Sequence, residues 1–283
     1  MTYGHGGMMQ SNNPVFRNSD AFNGRSTYTN PSGYTDPSTW STGGNVGGAT
    51  GAPPTVGDRI TIDSVVQKTG ITLGVIVVFA FITWIGTGDL NAQDDLAQLA
   101  GLSLIGGGIA FILSMVNSFK RVISPALVLA FAAAEGVALG AISKAFENWY
   151  DGVVSAAVLG TIAAFAGTLA AYKVLNIKVG DKFRRGVIAA MFGFIGLVFM
   201  DLLLSLFNVD LGLNGFGTLG LLMSIAGLIL GVLMLILDFD FVEQAIAAGA
   251  PERESWRAAF ALAVSLVWIY TNLLRILAIL QSD

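Results

Sequence analysis

The chain has 283 residues, 54% hydrophobic and 12% charged, with a formal net charge of −4 and a mean hydropathy of +0.68. Average soluble domains are about 25% charged, so this chain has too little polar surface to cover a water-soluble globule. It holds no cysteine and one histidine, His5, which excludes disulfides, thiolate metal sites, cysteine nucleophiles and a His-based triad in the apolar region.

Residues 1–56 are rich in Gly, Ser, Asn, Thr and Pro. Such a segment buries too little apolar area to offset its ordering entropy and is expected to be disordered. It has no apolar run that would serve as a cleaved signal. Residues 57–68 set Ile60, Ile62, Val65 and Val66 among Asp58, Arg59, Asp63 and Lys68, which reads as a short amphipathic interfacial helix or lead-in.

From residue 69 the chain changes character. No Asp, Glu, Lys or Arg occurs in 69–88, 96–119, 152–172 or 211–237, and about 20 apolar residues suffice for a helix to cross the hydrocarbon. A buried soluble core of that size would need polar helices around it, and none are present. The pattern predicts an all-α membrane domain over 69–283 with seven transmembrane helices, at 69–87, 97–117, 124–146, 152–172, 187–208, 216–238 and 257–280. Ser124 and Pro125 suit the N-cap and first turn of the third. Gly249 and Pro251 break the chain before the seventh.

Basic residues mark one side of the membrane. Arg17, Arg25, Arg59 and Lys68 precede the first span, and Lys120 and Arg121 follow the second. Lys173, Lys178, Lys182, Arg184 and Arg185 follow the fourth, and Arg253 and Arg257 the sixth. The intervening connections carry only Lys144, against Asp89, Asp94, Asp95, Glu147, Asp151 and Asp210. The alternation places the N-terminus in the cytoplasm and the C-terminus outside. Trp84, Trp149, Tyr150 and Trp256 fall near the predicted interfaces, as amphipathic aromatics do.

A charge at the bilayer centre costs about 2.5–3.5 kcal/mol on insertion scales, so each embedded one needs a reason. Glu135 lies midway along the third helix, beside the close-packing pair Gly136 and Gly140. It reads as an ion- or proton-binding carboxylate, with a neutral packing Glu as the structural alternative. Asp201 shares a face of the fifth helix with Ser205 and Asn208. Ser265, Trp268, Asn272 and Arg275 form one stripe on the seventh. Asp201 and Arg275 both fall in the outer half, where they can pair; snorkelling of Arg275 to the interface is an equal alternative. On the sixth helix Asp238 continues the stripe of Ser224, Gly227, Gly231 and Met234, while Asp240 shares another face with Glu243. Three carboxylates within six residues at a helix mouth repel one another, and the C-terminal dipole end disfavours them further. A shared proton or a cation would relieve both effects; a solvated acidic helix end is the plain alternative. Gly106, Gly107 and Gly108 read as packing positions rather than a phosphate loop.

Several segments resemble the Bax-inhibitor (transmembrane Bax-inhibitor-motif, YccA-like) family, in its actinobacterial-type branch. They are Ser-Asn-Asn-Pro-Val-Phe at 11–16, the Ile-Thr-Ile-Asp-Ser-Val-Val-Gln-Lys-Thr lead-in at 60–69, and Ser-Pro-Ala with Ala-Glu-Gly between 124 and 136. Leu-Asp-Phe-Asp-Phe-Val-Glu-Gln at 237–244, with Val-Trp-Ile-Tyr and Leu-Leu-Arg-Ile-Leu in the last helix, completes the set. The resemblance covers the chain after residue 10. It implies that helix seven is surrounded by the other six and that the protein is a pH-sensitive calcium leak gated by two aspartates near the cytoplasmic side. One of these falls on Asp240 or Asp238. The other falls on Ser265 or Ile269, and helix seven has no acid, which leaves Asp240 with Glu243, or a helix-six aspartate with Glu135, as the pair.

The sequence thus points to a bacterial inner-membrane cation or calcium leak, with Ca²⁺ as permeant ion and no cofactor. The alternative is a non-conducting regulator that uses its tail to bind a membrane protease or other membrane protein, as some YccA-like relatives do. The lipid bilayer is the other partner; neither nucleic acid nor enzymatic activity is expected.

Overall fold

The computed structural model describes residues 59–88, 93–207, 209, 211–213 and 215–282. The polar tail at 1–56, and Asn208 and Asp210, lie outside the described residues. Among the described residues there are seven α-helices and no strand: α1 (Ile62–Gly86), α2 (Gln93–Phe119), α3 (Pro125–Trp149), α4 (Val153–Val174), α5 (Asp181–Ser205), α6 (Thr218–Ala247) and α7 (Glu254–Ser282). Each is 22 to 30 residues long and apolar enough to cross a bilayer.

Three boundaries differ from the sequence reading by six residues or more. Within the lead-in, residues 62–68 form no separate interfacial helix, because Thr61 opens α1 with a capping box. The Ser64 backbone N–H donates to Thr61 Oγ1 (3.1 Å), and the Thr61 N–H donates to Ser64 Oγ (3.0 Å). Residues 62–68 therefore continue straight into the span. α5 starts six residues earlier than expected, so Arg184 and Arg185 belong to its first turns. α6 runs on past Asp238 to Ala247 and ends in a Schellman turn. There Gly249, at φ +63°, lets its own N–H reach Ile246 O and the Ala250 N–H reach Ala245 O.

The packing is that of a protein dissolved in lipid. Phe81, Leu104, Phe192 and Ile229 are among many large apolar side chains that face outward. The residues with no exposure at all include Ala110, Ala132, Ala141, Ala157, Ala263, Thr72 and Ser255. Between helices in lipid there is no hydrophobic drive, so small residues that let backbones approach do the packing. Gly136 and Gly140 bring α3 onto α1: a Cβ on Gly136 would sit 2.5 Å from the Ile76 carbonyl oxygen, and one on Gly140 would overlap the Ala80 backbone. Of the glycines at 106–108, only Gly106 packs this way, with Ala138 N 2.9 Å from its would-be Cβ.

α7 is the central helix. It packs on α1, α3, α4 and α6, and Trp268 meets Phe194 of α5 edge to face at 5.5 Å. α2 packs on α3 and α5 on α6, at the outside. The start of α1 and the α2–α3, α4–α5 and α6–α7 links share one end, called here the basic end. Ile60 N donates to Ala250 O, Lys68 pairs with Glu252 at 2.8 Å, and Arg257 donates to Arg121 O at 2.9 Å.

Candidate functional site: a polar seam between the sixth and seventh helices

The stripe of small residues on α6 meets the polar stripe on α7. Ser265 donates to Asp238 Oδ2 at 2.5 Å, and both residues are buried. One turn further along, Trp268 Nε1 donates to the Gly227 carbonyl at 2.8 Å. Gly231 leaves room for Ile269 and Trp268, where a Cβ would come within 2.8 Å of Ile269 Cγ1, and Asn272 fills the space that a side chain at Gly227 would need. Arg275 closes the seam at the far end by donating to Leu213 O (2.9 Å) and Gly215 O (3.2 Å) in the α5–α6 link. Asp201 is buried on α5 within electrostatic range of Arg275. Arg275 thus both reaches the link backbone and feels that carboxylate.

The three α6 carboxylates do not converge. Successive helical residues turn about 100°, so positions 238, 240 and 243 address different neighbours. Asp238 faces Ser265 of the central helix. Asp240 Oδ2 accepts from Arg184 of α5 at 2.8 Å and from Gln244 at 2.6 Å. Glu243 Oε2 accepts from the Tyr172 hydroxyl of α4 at 2.7 Å. Two expectations are corrected here. Asp240 and Glu243 form no mutual pair, because each has its own donor from another helix. The helix dipole does not bear on Asp238 or Asp240 either, because α6 continues to Ala247 and the dipole acts within the last turn. Among the described residues no group of three or more His, Cys, Asp or Glu side chains is arranged to hold a metal ion.

Asp238 differs from the other two: it is buried, where Glu243 is exposed, and among the described residues its partner is a neutral hydroxyl with no Lys or Arg, where Asp240 has Arg184. Glu135 is half-buried on α3 with no hydrogen-bond partner among the described residues. It lies between Phe131, packed edge to face on Phe260 at 5.0 Å, and Leu139, which clusters with Ala263. Ala263 and Ser265 are two residues apart, about 200° around α7. The neighbours of Glu135 thus meet a part of α7 turned well away from Ser265, and no hydrogen bond joins Glu135 to Asp238.

Sequence reasoning missed Arg184, Tyr172 and Gln244 as partners. Arg184 counts in the sequence only as a topology-marking charge, and nothing local joins it to a carboxylate 56 positions away.

The architecture is that of a multi-pass membrane protein built around a central helix with an embedded carboxyl in its seam. Residues 13–282 match the family model described as Bax inhibitor 1 like, and the chain belongs to that family. Among curated proteins none matches it.

Proposed function

We propose that this protein conducts cations, with the α6–α7 seam as its gate and Asp238 as the proton-sensitive group. The observation that carries this reading is the placement of Asp238. It is a buried carboxyl on a membrane-crossing helix, held by Ser265 of the central helix and by no cation among the described residues. Asp240 and Glu243 brace the same helix through Arg184 and Tyr172, and Glu135 offers a second embedded carboxyl on α3.

With a proton on Asp238 the seam is neutral and closes through the Ser265 hydroxyl. Without it, a charge stands in the seam at a cost of a few kcal/mol, relieved when α6 and α7 part and water or a cation reaches the carboxylate. Proton binding thus biases a two-state element, and the open fraction grows as pH rises. Ca²⁺ is the permeant ion, no cofactor or enzymatic step is involved, and the bacterial plasma membrane is the location. The basic end faces the cytoplasm.

Purified protein reconstituted in vesicles loaded with a calcium dye tests this. Wild-type flux is expected to rise with pH, by at most about tenfold per unit for a one-proton switch, and Asp238→Asn to be flat. No flux above empty vesicles at any pH, or an unchanged pH profile in Asp238→Asn, would overturn it.

A further inference from the structure

The α4–α5 link at the basic end is the most positively charged stretch of the described chain: Lys173, Lys178, Lys182, Arg184 and Arg185 against Asp181 alone. It is held in shape. Asn176 takes the left-handed conformation (φ +48°) and closes a Schellman turn on α4, with Ile177 N donating to Tyr172 O at 3.1 Å. Arg184 is committed to Asp240, which pins the first turn of α5 to α6. The other four cations are exposed and have no hydrogen-bond or ion-pair partner among the described residues. Large apolar side chains stand among them: Val174 is 82% exposed, Leu175 70% and Phe183 39%. α5 opens at Gly180 with no side-chain cap, so its first backbone N–H groups add to the positive field.

We propose that this link binds the headgroup of an anionic phospholipid. Lys178, Lys182 and Arg185 take the phosphate, and Val174, Leu175 and Phe183 lie against the acyl chains. A soluble anion would need the cations but not the apolar rim; charge and rim together fit a molecule with both parts. The inference is independent of whether the α6–α7 seam conducts.

Native mass spectrometry of the full chain in mild detergent tests it, with phosphatidylglycerol, phosphatidylcholine of the same acyl chains, and inorganic phosphate added separately. Phosphatidylglycerol is expected to be retained preferentially. Lys178→Gln/Lys182→Gln/Arg185→Gln should weaken it by about fivefold per cation removed, while Lys120→Gln/Arg121→Gln/Arg253→Gln, at the other links, should not. Lys178→Arg/Lys182→Arg/Arg185→Lys should keep the preference, which separates charge loss from misfolding. Four results would overturn the proposal: equal retention of both lipids, equal weakening in the two glutamine sets, loss in the charge-conserving set, or displacement of the lipid by phosphate alone.

Discussion

Lys144 shows how one side chain can look anomalous in the sequence and ordinary in the structure. It is the lone basic residue on a side otherwise stripped of Lys and Arg. The structure buries it to 8% exposure and sets its ammonium over the end of α1. Nζ donates to Trp84 O at 2.7 Å, to Thr87 Oγ1 at 2.9 Å and to Gly88 O. An ammonium has three donors, and all three are used. The carbonyls at a helix C-terminus lack intrahelical partners and carry the negative dipole end, so α3 caps α1 across their interface. Lys144→Met, which keeps the stem and removes the donors, is expected to cost about 1–3 kcal/mol, seen as a lower unfolding temperature in detergent. An unchanged midpoint would show that water serves those carbonyls equally well. Sequence gives no hint of this contact, since two of the acceptors are backbone carbonyls and the third a threonine hydroxyl, all some sixty positions earlier. The α6 carboxylates were misread for the same reason. Spacing shows that Asp238, Asp240 and Glu243 are near one another along the helix, but Ser265, Arg184 and Tyr172 decide what each one faces.

At the scale of helices, apolar length alone was enough to find all seven, because the hydrocarbon sets a minimum span. It gave poor ends. Hydropathy stops where charges begin, whereas α6 continues through three carboxylates whose partners come from other helices, and α5 begins before two arginines, of which Arg184 pairs with α6. The stripes on α6 and α7 were legible as faces, and they do meet; which glycine accommodates which side chain was not. α5 is the least secured element, packing on α6 with Trp268 and the Arg184–Asp240 pair as its ties. The Arg184 side chain is 41% exposed, so solvent screens the pair and it is worth about 0–1 kcal/mol. Arg184→Gln should therefore speed amide hydrogen exchange in the first two turns of α5 by up to about fivefold while leaving α3 and α7 unchanged. Acceleration spread evenly over the bundle would mean that the pair holds the whole fold rather than this helix.

For the molecule as a whole, the charge alternation acquires a structural counterpart: the links that carry it are knit together at one end. Arg59 bridges to Pro251, Ser64 Oγ lies 2.7 Å from Ser255 Oγ, and Lys68 sits over the Trp256 ring at 5.8 Å. Arg257 joins this group to the α2–α3 link. The start of α1 thus rests on the turn that joins α6 to α7, and both must lie on the same side of the membrane. Under the orientation proposed from the positive-inside bias, that side is the cytoplasm. Because the chain has no cysteine, single-cysteine variants report their own position without background. Lys120 and Asp151 are both exposed, at opposite ends of the bundle. In intact cells a membrane-impermeant maleimide is expected to label Asp151→Cys, and to label Lys120→Cys only after permeabilisation. The reverse pattern would invert the orientation and place the Arg184–Asp240 pair and the lipid-binding link outside. Labelling of both from outside would contradict the antiparallel arrangement itself, since Lys120 and Asp151 flank the single span of α3.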